Sequence, residues 1–564
     1  MSDFSDLLSK YIQEKNIQVA SMVKYCGIDR SAMYKIIKGK HHPPTVQIRD
    51  KMARFMHLTP EENRLFNRAY EISQIGKDTY FRRKEAEKFI LNFPSALKVP
   101  VSANAFSPGS APEKPISLPD SPCISFSRHE LFHYYVQNIV EAEMQTENGK
   151  IGLLLQPDCE FLFSYLTNLN FFSSGLSIEH ILCMDYTEKT DTYCNIRNLS
   201  AILPLFMNGI NYQVSFFYND VHSHYRSLNV FPSMILTSKY AITCTSDYKN
   251  GILHQDPAAV SMLWELFSSY KEKCRPLFQI PHSIEEEGNM VTATTLSNSR
   301  LYYMEPEPCL IPFLERDWVA HFVPEDFPGR DNIIAYMQAY VKSAGQVIRK
   351  SEFHFYFCRD ELDKFAETGI LAELPQELSH TYTLSVEERI TVLENLLEQK
   401  SRAHYRFLKP PFEQIAKRLH LCAGENNMYL MFFDIMSHRS YLWIQESEII
   451  HTLYDYLGSL DSEALYSEEE TLEYFRRMQD RITNFVTQNS NITKERFVDL
   501  SMNTQELVMD VGTVLDGPDA VEEGLIDSLG SLSDAMDCLG KMIDQNKKRR
   551  TSAQKTTTRK KKTQ

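Results

Sequence analysis

Between Pro94 and Pro122 the chain places seven of its 25 prolines, with Ser and Ala among them. Proline has no backbone N–H and a fixed φ, so neither a helix interior nor a central strand can run through such a stretch. The 564 residues are therefore divided into a short N-terminal part and a long remainder, joined by a linker.

The remainder exceeds what one hydrophobic core usually serves, and 43% hydrophobic residues are enough to build several. The pattern predicts a mixed fold. Residues 1–75 read as an all-α head, followed by a helix and the Pro-rich linker over 76–122. An α/β body of two similar lobes is expected over 123–282 and 283–470, then a helical segment over 471–545 and a disordered basic tail over 546–564. The two-lobe expectation rests on a faint duplication. Residues 178–185 (IEHILCMD) resemble 353–360 (FHFYFCRD), each strand-like and ending in Asp. Residues 240–267 match 430–457 in pattern: an apolar strand, a turn, a second strand, a Gln-acid pair (Gln255-Asp256; Gln445-Glu446) and an amphipathic helix.

No apolar run reaches the roughly 20 residues of a membrane span. The opening MSDFSDLLSK carries acids where a secretory signal would carry basic and then apolar residues. Eleven scattered cysteines without a CxxC pair suit a reducing compartment, so a cytoplasmic location is expected. Charge is distributed unevenly. Residues 1–75 hold 12 Lys/Arg against 8 Asp/Glu, and the last 19 residues hold nine basic and no acidic side chains. The chain's net charge of −14 thus leaves −27 on the 470 residues between, placing any contact with a phosphate backbone at the ends.

Within the head, residues 19–25 predict a short helix with Met22 and Val23 turned inward, and Cys26-Gly27 a tight turn. A second helix follows, with Asp29 as N-cap and Gly39 closing it. Met33 and Ile36 share its apolar face with Ile28 just before it, while Arg30, Ser31, Tyr34 and Lys35 fall on the other. A short helix, a glycine turn and a second helix with a cationic polar face are what a DNA major groove accepts. The run 17–40, with Pro43-Pro44 and Leu58-Thr59-Pro60-Glu61-Glu62, resembles the Cro/repressor-type (XRE) helix-turn-helix family over about 60 residues. Carried over, the resemblance makes Arg30, Ser31, Tyr34 and Lys35 base-edge or phosphate contacts, and Lys38 and Lys40 phosphate contacts at the helix exit. Two positions depart from the family: Val19, where a polar phosphate anchor is usual, and Ile37, where Glu is frequent.

The body contains no GxSxG, P-loop or strand-borne GxGxxG. It does contain one HExxH, His129-Glu130-Leu131-Phe132-His133. On a helix the two histidines would share a face and could hold zinc with Glu130 as base, but a third ligand is needed and Glu141 and Glu143 lie on the same helix. Ser127 to Glu130 reads equally as a capping box, which needs no metal. No metal or other cofactor is expected, with His129 and His133 the residues that would bind one. The aromatic stretches 161–172 and 353–357 read as core.

From about Arg476 onward the residues Asp510, Gly512, Gly517, Ala520-Val521-Glu522, Gly524-Leu525-Ile526-Asp527 and Gly530 resemble the C-terminal segment of Clp-type serine peptidases, closest to the TepA (translocation-enhancing) branch. Such peptidases place Ser and His well before this segment. Here that stretch is 430–472, which lacks a Gly-x-Ser nucleophile turn, so no peptidase activity is expected. Together these features predict a sequence-specific, duplex-DNA-binding transcriptional regulator, homodimeric, not an enzyme, whose body senses an unknown small-molecule or protein effector or oligomerises. The alternatives are an HExxH zinc peptidase fused to a helix-turn-helix head, and an inactive Clp-like assembly component.

Overall fold

The computed structural model describes residues 3–93, 118–169, 175–185, 194–221, 229–348, 351–371, 382–398, 403–433 and 439–489, apart from Pro44 and Pro119. Isolated positions 373, 374, 378, 493, 496, 517–522 and 526 are also described. The fold is mixed, with helices and two mixed β-sheets. The chain forms two compact units. The larger comprises residues 1–362, 372–381 and 399–468, and the smaller 363–371, 382–398 and 469–564.

The first five helices are α1 (Asp3–Glu14), α2 (Val19–Cys26), α3 (Arg30–Ile37), α4 (Val46–Phe55) and α5 (Pro60–Ile75). Phe4, Leu8 and Tyr11 recur at helical spacing on α1 and are buried against Phe66 and Tyr70 of α5, with the Phe4 and Phe66 rings 4.8 Å apart. Thr59 starts α5 through a complete capping box. Its hydroxyl accepts the Glu62 N–H (3.3 Å), the Glu62 carboxylate accepts the Thr59 N–H (2.7 Å), and Pro60 sits where a missing N–H costs nothing. Lys15 pairs with Glu62 at 2.8 Å and ties α1 to this cap. The head core is its own cluster, made only of residues between Phe4 and Tyr70.

Helix α6 (Lys77–Asn92) continues from Gly76 and packs on α5. Ala86, Phe89 and Ile90 are buried in the core of the body. Arg82 and Arg83 both hold the Asp455 carboxylate, at 3.3 and 2.9 Å, and Glu85 pairs with Arg197 at 3.2 Å.

The body contains two sheets that repeat one topology. The first is built from β1 (Cys123–Phe126), β2 (Lys150–Leu154), β3 (Ser177–Met184), β4 (Asn211–Tyr218), β5 (Ser233–Leu236), β6 (Ala241–Cys244), β7 (Gly251–His254) and β8 (Arg275–Pro276). The second is built from β9 (Phe278–Gln279), β10 (Arg300–Glu305), β11 (Glu352–Phe357), β12 (Ala403–Phe407), β13 (Leu419–Gly424), β14 (Met428–Phe433) and β15 (Arg439–Ile444). The spatial orders are β1-β7-β6-β5-β2-β3-β4-β8 and, read in the same direction, β9-β15-β14-β13-β10-β11-β12. In each, three neighbouring strands are parallel (β2, β3, β4; β10, β11, β12) and every other pairing is antiparallel. The duplicated sequence segments occupy matching places: 178–185 gives β3 and 353–360 gives β11, while 240–267 gives β6, β7 and a helix and 430–457 gives β14, β15 and a helix. Residues 275–279 close the first sheet as β8 and open the second as β9.

Helix α7 (His129–Met144) links β1 to β2, α8 (Glu160–Asn168) links β2 to β3, and α9 (Cys194–Met207) links β3 to β4. Helix α10 (Pro257–Lys271) follows β7, and the helix Ser447–Gly458 follows β15. In the second lobe α11 (Ile284–Leu296) precedes β10 and α12 (Arg330–Ile348) precedes β11. Helix α6 contacts α9 of the first lobe and Ser447–Gly458 of the second. Sheet residues and α6 share one large apolar cluster, the main stabilising term of the body.

Gly251, at the start of β7, shows how tightly the first sheet is built. A Cβ there would lie 2.6 Å from the Thr243 carbonyl oxygen, a backbone atom that cannot yield, and would also meet the Phe126 ring. Gly251→Ala should therefore destabilise the first lobe by about 1–3 kcal/mol. A lowered denaturation midpoint checks this, and an unchanged midpoint contradicts it.

In the smaller unit, the part of α13 (Arg359–Thr368) from Asp363 onward, the helix Val386–Glu398 and the helix Glu468–Asn489 from Glu469 onward are the main described elements. Tyr474 donates to both oxygens of Asp363 (2.7 and 2.8 Å), and Arg389 donates to the Ala366 carbonyl at 2.7 Å. Of the Clp-like residues, Gly517, Ala520, Val521 and Glu522 lie in a short helix, Gly517–Glu522, and Ile526 is exposed. Asp510, Gly512, Gly524, Leu525, Asp527 and Gly530 lie outside the described residues, as does the basic tail 546–564.

Candidate nucleic-acid interface

Helices α2 and α3 are joined by the turn at Gly27, whose φ of +70° lies in the left-handed region that side chains disfavour. Its N–H closes α2 on the Val23 carbonyl at 3.1 Å. Asp29 then caps α3, its carboxylate accepting the Ser31 N–H at 3.2 Å. At the other end Gly39 has φ +68°; its N–H bonds the Ile36 carbonyl (2.9 Å) and the Lys40 N–H bonds the Lys35 carbonyl (2.8 Å). This pair of bonds is a Schellman closure and satisfies two otherwise orphaned carbonyls.

The buried side chains of α2 and α3 are Met22, Cys26, Met33 and Ile36. With that face fixed in the core, Arg30, Ser31, Tyr34 and Lys35 are all exposed, and so are Lys38 and Lys40 just beyond. Tyr34 is 40% exposed, and the Arg30 guanidinium lies 5.8 Å from its ring centre, within cation–π range. The ion pairs of the head involve Lys10, Lys15, Arg49 and Arg64. Arg30, Lys35, Lys38 and Lys40 pair with no carboxylate among the described residues, so the face carries uncompensated positive charge. Val19 and Ile37, the two departures from the family pattern, are partly buried against the head core and serve packing.

His129 and His133 lie on the first turns of α7 with ring centres 6.2 Å apart. His133 is stacked on Phe161 at 3.8 Å, and burial, then His129, pushes its pKa below the ordinary value. Among the described residues no third ligand completes a set with them. Glu141 accepts the Tyr165 hydroxyl, and Glu143 is buried with bonds from the Lys150 N–H (2.7 Å) and the Ser238 N–H and hydroxyl (2.9 and 2.7 Å). The capping box read at Ser127 is corrected: the N-cap of α7 is Arg128, with no side-chain cap bond.

Two groupings in the second lobe escaped sequence reading. One is a set of potential metal ligands, Glu352, His354 and His404. The other is a cavity of about 120 Å³ between the sheet and helices α11 and α12, lined among others by Tyr303, Glu305, Cys309, Tyr340 and Glu373. Glu305 accepts the Cys309 N–H (3.2 Å), and Glu373 accepts the N–H groups of Leu310 (2.6 Å) and Ile311 (2.8 Å). Burial, and for Glu305 the Glu373 charge beside it, raises the pKa of both carboxyls.

The class these features define is a mixed α/β chain with a small helical head that bears a cationic helix face, and a duplicated body. No family model matches the chain. Over 75 residues, 13% of its length, it is 41% identical to the translocation-enhancing protein TepA of Halalkalibacterium halodurans. That stretch spans 29% of the relative's length. Among solved structures, the chain is similar at 10% identity to TrmBL2, an archaeal chromatin protein described as showing a novel mode of DNA binding (48% of this chain, 99% of that one, TM-score 0.20). It is similar at 8% identity to polyphosphate kinase from Porphyromonas gingivalis (64% and 55%, TM-score 0.20) and to phosphatidylserine synthase from Haemophilus influenzae Rd KW20 (66% and 94%, TM-score 0.21). At such scores these likenesses carry no argument. No described helix is long and apolar enough to cross a membrane.

Proposed function

We propose that the chain is a sequence-specific transcriptional regulator that binds duplex DNA through α3 as a homodimer. The observation that carries this reading is the α3 face: Arg30, Ser31, Tyr34 and Lys35 exposed together, the two cations without ion-pair partners among the described residues, on a helix whose opposite side is locked in the head core. In a major groove Arg30 or Lys35 would reach guanine O6/N7, Ser31 a base edge or phosphate, and Tyr34 the sugar-phosphate wall. Lys38 and Lys40 would hold phosphates at the exit. One head gives limited affinity, and paired half-sites a helical turn apart are the usual remedy for this motif. The body serves sensing or oligomerisation, and the largely apolar cavity beneath the second sheet, with its two buried carboxyls, is where a small effector would lodge.

In this reading the chain has no peptidase activity. His133 packs on Phe161, and the TepA-like resemblance comes without a Gly-x-Ser turn ahead of it. The test is selection from a pool of fragments of the source genome by full-length protein, followed by salt titration on the best fragment. A few fragments should be enriched, and Arg30→Ala/Lys35→Ala should lose them with its fold intact. If the variant instead loses only phosphate contacts, the slope of log K against log salt falls by about 2 while selectivity survives, and α3 does not read bases. Unselective binding by the unaltered protein overturns the reading.

A further inference from the structure

We infer that Glu352, His354 and His404 form a binding site for a borderline divalent transition-metal ion such as zinc, on the face of the second sheet opposite the cavity. Residues two apart on a strand share a face, so Glu352 and His354 of β11 point the same way. Strand β12 pairs with β11 in parallel, and the register sets His404 directly beside His354. One atom from each of the three side chains lies within 4.8 Å of the other two. The His354 Nε2 is 2.8 Å from the Glu352 Oε1, and the His404 Nε2 is 4.0 Å from that same oxygen. Zinc bonds of about 2.0–2.2 Å put tetrahedral ligands roughly 3.3 Å apart, so sub-ångström rotations of the side chains suffice.

The surroundings hold the donors in the right state. The Glu468 carboxylate lies 3.1 Å from the His404 Nδ1. A carboxylate there accepts a hydrogen bond from Nδ1–H and leaves the Nε2 lone pair facing the Glu352 oxygen, the outer-shell arrangement that raises the basicity of a metal-bound imidazole. Arg300 grips the other oxygen of Glu352 (3.0 and 2.8 Å), leaving Oε1 as a single donor. The two rings are fixed by stacking, with Tyr302 4.8 Å and His404 4.7 Å from His354. All three ligands are partly exposed, so an ion can reach them, and the fourth position is left for water. Two imidazoles and one carboxylate are a borderline donor set, which favours zinc and its neighbours over calcium or magnesium. The inference stands independently of DNA binding.

The test is titration of full-length, chelator-treated protein with zinc chloride by calorimetry, and with cobalt(II), whose visible absorption reports four-coordination. One equivalent should bind, with a visible cobalt band. His354→Ala and His404→Ala should each weaken zinc at least 100-fold, and Glu468→Gln about 10–100-fold. His133→Ala should leave binding intact. His404→Gln, which keeps a hydrogen-bonding side chain on β12, serves if the alanine variants do not fold, and should lose the cobalt band. Absence of stoichiometric binding by the unaltered protein overturns the inference. So does binding that survives removal of both histidines or that disappears with His133.

Discussion

Phe66→Ala should unfold the head while leaving the two-lobed body folded. Phe66 is fully buried, with its ring 4.8 Å from Phe4 and 6.3 Å from Tyr11, so it is the meeting point of α1 and α5. Truncating a buried phenylalanine costs about 3–5 kcal/mol through lost transfer energy and the cavity left behind. A helical unit of some 70 residues has only about 4–10 kcal/mol to lose. The damage stays local because the head's apolar cluster ends at Tyr70 and the body's begins at Ala86. Calorimetry of the variant should show the head transition lost or moved far down, with the body transition in place; on the proposed reading, selective DNA binding should vanish with it. A head transition at its original temperature would mean the interior repacks around the void.

The second large effect is acid destabilisation centred on His180. This histidine, on β3, is 1% exposed and packs its ring against Phe163. Its Nε2 bonds the Leu155 carbonyl at 3.0 Å and its Nδ1 meets the Tyr212 hydroxyl, partners that suit a neutral imidazole. Burial pushes its pKa down to about 4. Folding therefore holds the ring neutral, whereas the unfolded chain protonates it below about 6.5. Stability from this group is complete above that pH and is lost as pH falls toward 4, by about 2 kcal/mol at pH 5 and about 3 at pH 4. His180→Gln keeps a donor and an acceptor but does not titrate. Its stability should fall less between pH 7 and pH 5 than that of the unaltered protein, by about 2 kcal/mol. Equal losses in both would show that other groups govern the acid limb.

Much of the architecture was legible because it is local. Asp29 and Gly39 bracket α3 as cap chemistry requires, and the two Gln-acid pairs of the duplicated segments prove to be helix starts. Asp256 accepts the Ala259 N–H at 3.0 Å, and Glu446 accepts the Ile449 N–H at 2.8 Å. The longer Glu446 side chain also accepts the Tyr218 hydroxyl at 2.8 Å, bridging the two lobes. Spacing shows a cap; it does not show a bridge between residues 228 positions apart. The same holds for Glu352, His354 and His404. The Glu-x-His pair is visible as a strand-face repeat, but its partner is fixed by the β11–β12 register, which composition does not encode. The HExxH illustrates the converse: its spacing is plain, yet the stacking of His133 on Phe161 comes only from the fold. Glu305 and Glu373 meet across a cavity from segments with no shared motif.

Helix α6 has a mechanical consequence. It is a rod of 16 residues, about 24 Å long. It is seated against α5 and gripped by α9 on one lobe and Ser447–Gly458 on the other. A rod held this way is a lever. A tilt of about 10° in that seat moves the end of the rod that joins α5 by about 4 Å, a little more than the roughly 3.4 Å rise of one base pair. On the proposed reading, the spacing of two heads in a dimer is thereby geared to how α6 is seated on the two lobes.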